Sequence, residues 1–156
     1  RILILGAGKM GTFLTDVLCM QHEVALFDVN PKNLRFVFNT YRMTTYEEIR
    51  EFEPELLINC VSLNHTIDAF NAVLPYLPKS CIISDIASVK TGLPEFYANC
   101  GMRYVSTHPM FGPTFANLEA EDKSPGRPIP PIPLEYSSKS ISLPKVLSGF
   151  LLDKFL

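Results

Sequence analysis

Three absences bound what this 156-residue chain does. Positive charge is not in excess: the formal net charge is -2 at pH 7, which leaves no basic field for a phosphodiester backbone and disfavours nucleic acid as a partner. Long apolar runs are missing as well. None reaches the roughly 18 residues of a membrane span, and the run behind Arg1 stops at Gly6, short of the about 7 residues of a signal segment. No membrane partner is expected. Paired cysteines are the third absence. Cys19, Cys60, Cys81 and Cys100 stand far apart with no CxxC spacing. They read as reduced, buried thiols of a cytoplasmic protein rather than as a disulfide or metal set. There is also no internal repeat. What remains is a chain with 47% hydrophobic residues, enough for one domain with a core and a small-molecule site.

Short apolar runs alternate with segments of helical period, the pattern of a Rossmann-like, doubly wound α/β fold, with a mostly parallel sheet and helices on both faces. Residues 2–5 form the first strand. Met10, Phe13, Leu14, Val17 and Leu18 then recur at helical spacing, which predicts an amphipathic helix over 9–21. A second strand is expected over 24–29. Asn30 and Pro31 read as N-cap and first residue of a helix whose buried face is Leu34, Val37, Phe38 and Tyr41. A brief third strand near 42–44 leads to a capping box at Thr45 and Glu48, hence a helix over 46–52. Residues 56–63 read as a central strand and Asn64 as the start of a helix ended by Pro75 and Pro78. A fifth strand (81–86), a helix (89–99) interrupted early by Gly92 and Pro94, and a sixth strand (103–106) follow.

Gly6-Ala7-Gly8-Lys9-Met10-Gly11 is a GxGxxG between a predicted strand and a predicted helix. The first glycine permits a tight turn, the second lets backbone approach a pyrophosphate, and the third allows helix and strand to pack closely. Alone, such a loop is equally a helix-capping turn. Here Asp28 ends the second strand twenty residues beyond Gly8, where its carboxylate can accept from ribose hydroxyls and repel a 2′-phosphate. NAD is therefore favoured over NADP, with Lys32 softening the preference. Lys9 and Met10 within the loop, and Val61 and Ser62 at the end of the fourth strand, complete the expected cofactor-binding set with Gly6, Gly8, Gly11 and Asp28.

Hydride transfer to such a cofactor is helped by removal of a proton from a substrate hydroxyl, and histidine suits that task near neutral pH. His22 follows the first helix beside Gln21 and Glu23 and reads as an exposed loop residue, and His65 lies at a helix start near the crevice. His108 differs, because it follows a strand end and is locked by Pro109. In an open parallel sheet ligands bind outside the carboxyl ends of the strands. The loops holding Gly6, Ser62, Ser88 and His108 should thus line one crevice. Ser88 reads either as a helix N-cap or as a hydroxyl that orients the imidazole, and Lys90 as a surface or cofactor-edge residue.

Three stretches, Ile4 to Gly11, Asp-Ile-Ala-Ser-Val-Lys at 85–90 and Ser-Thr-His-Pro-Met-Phe-Gly-Pro at 106–113, resemble the nucleotide-binding domain of prephenate/arogenate dehydrogenases, within the 6-phosphogluconate-dehydrogenase-like superfamily. The resemblance covers about residues 1–118. It implies NAD-dependent oxidative decarboxylation of prephenate or arogenate in tyrosine biosynthesis. In that reading His108 takes a hydrogen bond or proton from the ring hydroxyl, and Ser88 positions His108 and the reacting atoms. It also implies a homodimer for a full-length member. The alternatives are another oxidoreductase of the same superfamily and a non-catalytic NAD-binding module.

After residue 118 the character changes. Residues 119–156 hold six of the thirteen prolines, four of them between Pro128 and Pro133, which excludes regular helix or central strand there. This Pro/Ser-rich stretch, with a terminal helix at 143–156, is expected to be a divergent, truncated or out-of-frame tail. The arginine-bearing helical domain of the resembled family has no counterpart in it.

Overall fold

The computed structural model describes residues 1–109; the expected tail at 119–156 and its helix lie outside the described residues. Six strands pair in one sheet: β1 (Ile2–Leu5), β2 (Val24–Phe27), β3 (Tyr41–Met43), β4 (Leu56–Asn59), β5 (Ile82–Asp85) and β6 (Arg103–Ser106). All five pairings are parallel and the order is β3-β2-β1-β4-β5-β6. This is the doubly wound Rossmann order, and the chain reverses direction across the sheet between β1 and β4.

Buried on both faces, these strands are continuous apolar runs rather than alternating ones. Side-chain alternation still divides them. Leu3, Leu5, Ala25, Phe27, Leu57 and Ile83 point to one face, which is covered by α2 (Tyr46–Phe52), α3 (Thr66–Val73) and α4 (Leu93–Asn99) through Ile49, Phe52, Phe70, Val73, Leu93 and Tyr97. Ile2, Ile4, Val24, Leu26, Leu56, Ile58 and Ile82 point to the other, against Leu14 and Leu18 of α1 (Lys9–Leu18) and Leu34. Each fully buried Leu, Ile or Phe contributes about 1.5–3 kcal/mol relative to exposure.

Two helices depart from the sequence expectation. Over 31–41 only a 3₁₀ turn at Pro31–Leu34 forms. Leu34 alone of the expected face is buried, while Phe38 is 77% and Tyr41 59% exposed. The residues after the turn lead directly into β3, so there is no sheet surface for a longer helix to cover. The helix expected over 89–99 begins only at Leu93, because Gly92 takes a left-handed conformation (φ 75°) at its N-cap and Pro94 sits in its first turn. By contrast, the capping box forms as read. Glu48 N–H donates to Thr45 Oγ1 at 3.4 Å and Glu48 Oε2 accepts from Thr45 N–H at 2.8 Å, and α2 spans the residues expected.

Candidate functional site

The carboxyl ends of β2, β1, β4, β5 and β6 form a rim about 19 Å long at ordinary strand spacing. Its first half is made by backbone. Gly6 ends β1 with φ 93°, and a Cβ there would lie 3.1 Å from Val61 Cγ1. Gly11, in the first turn of α1, admits no side chain at all, because an added Cβ would stand 1.8 Å from the Gly6 carbonyl oxygen. That contact presses the helix N-terminus onto the strand end. Gly8 is the helix N-cap and is exposed, with nothing within 4 Å of where its Cβ would be. The first turn has neither a capping side chain nor an acidic residue, so the leading amides of α1 carry their partial positive charge into open space. Lys9 is exposed at the start of the helix and Met10 half-buried.

Asp28 follows β2 and is half-buried. Its Oδ2 accepts from the Ala7 N–H at 2.8 Å, while Oδ1 accepts from Asn30 N–H at 2.8 Å and Asn33 Nδ2 at 3.1 Å. The carboxylate thus ties the glycine loop to the end of β2 and retains acceptor capacity, since two oxygens offer about four lone-pair sites. Beside it opens a cleft lined by Val29, Tyr46, Val61 and Val73 with Asp28 its one charged residue. Val61 is the residue whose side chain backs Gly6. Ser62 is exposed, and its carbonyl accepts from His65 N–H and Thr66 Oγ1. This β4–α3 loop is shaped from below by buried Asn59, which accepts from Val61 N–H and donates to the Thr66 carbonyl at 2.9 Å.

The other half of the rim rests on charge. Asp85, the last residue of β5, is 0% exposed. Its carboxylate accepts from Ala87 N–H at 3.0 Å, Lys90 Nζ at 2.5 Å and Tyr97 Oη at 2.6 Å. The Asp85 carbonyl accepts both Thr107 N–H (3.0 Å) and Thr107 Oγ1 (2.8 Å), and Lys90 Nζ also donates to the Thr107 carbonyl at 2.6 Å. Burial and the neighbouring Asp85 charge raise the Tyr97 phenol far above its ordinary range, so it remains a donor. Above this cluster stand Ser88 and His108, both exposed. Among the described residues no hydrogen bond joins them, and Ser88 caps no helix, that place being taken by Gly92. The structure therefore sets the two on adjacent strand ends, Asp85 and Ser106 being paired in register, and leaves both side chains free for a ligand.

His22 lies half-buried in the turn after α1, not exposed as the sequence suggested, because its N–H continues that turn to the Leu18 carbonyl. His65 is exposed beside Ser62. Burial pushes the Cys60 and Cys81 thiols up to about 12, which keeps them protonated and poor nucleophiles. Lys90, expected as a surface or cofactor-edge residue, has a side chain 33% exposed, with its ammonium engaged by Asp85 and Thr107. The sequence reading also missed Tyr46, which stacks on Tyr76 at 5.0 Å and forms a wall of the cleft. No local signal marks Tyr46. An acid ending an apolar strand, with a lysine five residues on, was the available hint of the Asp85–Lys90 pair.

The chain matches the family described as "Prephenate dehydrogenase, nucleotide-binding domain" over residues 18–124, a span that includes Asp28, Ser88 and His108 and begins after the glycine loop. No curated protein sequence matches it. Among solved structures it is similar to prephenate dehydrogenase from A. aeolicus in complex with hydroxyphenyl propionate and NAD+ (20% identity, TM-score 0.62, 70% of this chain and 41% of that one). It is also similar to Synechocystis arogenate dehydrogenase (18%, 0.60, 69% and 40%). An imine reductase from Myxococcus stipitatus in complex with NADP+ is comparable in shape (12%, 0.62, 74% and 43%). The chain spans about two fifths of the length of each of these proteins.

Proposed function

The chain belongs to the family of prephenate dehydrogenase nucleotide-binding domains, and on that premise we propose that it holds NAD for the oxidative decarboxylation of prephenate or arogenate. The observation that carries the reading is the shared rim. A bare helix N-terminus, a carboxylate at the end of β2 and an exposed imidazole beyond β6 lie along one edge of the sheet in the order an extended dinucleotide requires.

The residues present fit that cofactor. Open space at Gly8 and the unpartnered amides of Lys9, Met10 and Gly11 suit a pyrophosphate, and the spare acceptor capacity of Asp28 suits ribose hydroxyls. The same carboxylate, unneutralised by any ion pair among the described residues, disfavours a 2′-phosphate, so NAD is preferred over NADP. The apolar cleft at Val29, Val61 and Tyr46 suits the adenine face, with exposed Ser62 following Val61 in the chain. Bound NAD supplies the hydride acceptor. An imidazole nitrogen of His108 takes the proton of the substrate ring hydroxyl as the ring loses hydride and carbon dioxide, and the Ser88 hydroxyl orients that imidazole and the reacting atoms.

Substrate carboxylates call for arginines. Arg103, at the start of β6, is on the opposite edge of the sheet and donates to the Ser80 carbonyl. The reading therefore assigns the carboxylate-binding groups, and the homodimer, to a complete member of the family and not to the described residues. Residues 1–118 are the dinucleotide-binding unit in this proposal, at work in tyrosine biosynthesis in the cytoplasm. Calorimetric titration with NAD and NADP, followed by assay of NAD reduction with prephenate and arogenate, tests it. Binding of NAD is the expected result, and in a form of the protein that reduces NAD with either substrate His108→Asn is expected to abolish turnover. Binding without turnover of either substrate makes the chain a non-catalytic NAD-binding module, and failure of a folded sample to bind either dinucleotide sinks the proposal.

A further inference from the structure

Lys90 belongs to neither the cofactor loop nor the acid–base pair, yet its ammonium is the charged group that, among the described residues, bridges the two loops of the catalytic half. It donates to the Asp85 carboxylate at the root of the Ser88 loop and to the Thr107 carbonyl, the residue before His108. We propose that Lys90 is a positioning residue, which by bridging Asp85 and Thr107 fixes the His108 turn beside the Ser88 loop before any ligand arrives.

The Thr107 carbonyl shares a rigid peptide plane with the N–H of His108, so a bond that fixes that oxygen fixes the plane from which His108 departs. Pro109 restricts the other side, holding the residue before it to extended backbone. Thr107 spends its remaining polar groups on the same anchor, its N–H and Oγ1 both donating to the Asp85 carbonyl. The anchor in turn cannot drift. Asp85 is wholly buried, and Tyr97, which donates to its carboxylate, stacks on Tyr104 of β6 at 4.2 Å with rings 5° from parallel. Strands β5 and β6 and helix α4 thus meet at one carboxylate. Thr107 is tied to Asp85 directly through its own N–H and Oγ1, and among the described residues Lys90 adds the bond to the 107–108 peptide carbonyl. An ammonium, compact and with three donors, can bridge two oxygens of different loops, which a methylene chain cannot.

The inference rests on the proposed role of His108, and its test needs no turnover. In the full chain the imidazole C–H signals of His22, His65 and His108 are assigned by single His→Asn variants, and NMR spectra are recorded without ligand. Lys90→Met is expected to displace the His108 signal and broaden it at least about twofold as the turn samples several positions. The signals of His22 and His65 should stay in place, and Lys90→Arg should restore a sharp His108 line. Should Lys90→Met fail to fold because Asp85 is left unpaired, Asp85→Asn/Lys90→Met removes both charges while keeping an amide oxygen as acceptor for Ala87 N–H and offering the amide NH2 as donor to the Tyr97 hydroxyl, and the same His108 change is expected. An unchanged His108 signal in a folded variant overturns the inference. Equal broadening of all three signals overturns it too, for it would make Lys90 a general stabiliser. The functional reading fails separately: if NAD added to the unaltered chain leaves His108 undisturbed, the imidazole does not face the cofactor, whatever Lys90 does.

Discussion

Along one rim the molecule uses two construction methods. At β1, β2 and β4 the glycine loop is held by close backbone packing, Gly11 against the Gly6 carbonyl, and by the Asp28 carboxylate accepting from Ala7 N–H. At β5 and β6 an ion pair with a wholly buried carboxylate and a buried phenol underlie two exposed polar side chains. The first method tolerates no extra atom, and the second no missing charge. A dinucleotide site needs amides in open space, which close packing of small residues supplies. In the proposed function a reactive imidazole must be held still without being consumed, which a network on its neighbours would supply.

The comparison breaks most severely at Asp85. Asp85→Ala leaves the Lys90 ammonium, the Tyr97 hydroxyl and the Ala87 N–H without their acceptor, and a loss of about 3–5 kcal/mol is expected in a urea denaturation series. A loss below about 1 kcal/mol would mean that the cluster is dispensable. Gly11→Ala comes next. In an ordinary helix that change stabilises by about 1 kcal/mol, but here the new Cβ would meet the Gly6 oxygen at 1.8 Å. Destabilisation by about 1–3 kcal/mol is expected instead, read as a lower thermal midpoint by circular dichroism. Gly8→Ala is the control, because its Cβ meets nothing and only a small cap effect is expected.

Asp28→Asn sharpens the contrast on the ligand side. Losing the charge should weaken NAD by about tenfold, or 1.4 kcal/mol, and narrow its advantage over NADP, both measured by calorimetry. An unaltered NAD/NADP ratio would remove Asp28 from the specificity argument. The smallest effect is at Glu48, in the capping box at the start of α2. Hydrogen bonds from the Thr44 and Thr45 amides hold its carboxyl below the ordinary value. Its contribution is therefore present above the unfolded carboxylate pKa and is lost as pH falls through the lower, folded one. Glu48→Gln should cost a few tenths of a kcal/mol at neutral pH and flatten that acid limb of the stability–pH profile.

Much of the backbone-built half was legible. The GxGxxG between strand and helix, Asp28 at a strand end and the Thr45–Glu48 capping box are local patterns whose meaning depends on near neighbours, and each formed. The helix expected at 31–41 did not, because apolar residues at helical spacing form a helix only where a surface awaits them, and Phe36 and Phe38 remain exposed. Tyr46 and Tyr97 carried no readable signal: each matters through a residue distant in sequence, Phe27 and Tyr76 for one and Asp85 for the other.

By itself the sequence determined a doubly wound parallel sheet, a phosphate-ready loop and an imidazole on a rigid turn, because hydrophobic period, glycine spacing and proline act over a few residues. Only the tertiary structure decided what holds that turn. Lys90 lies seventeen residues from Thr107, and whether its charge is spent in solvent or on a buried carboxylate depends on β5 and β6 pairing in register.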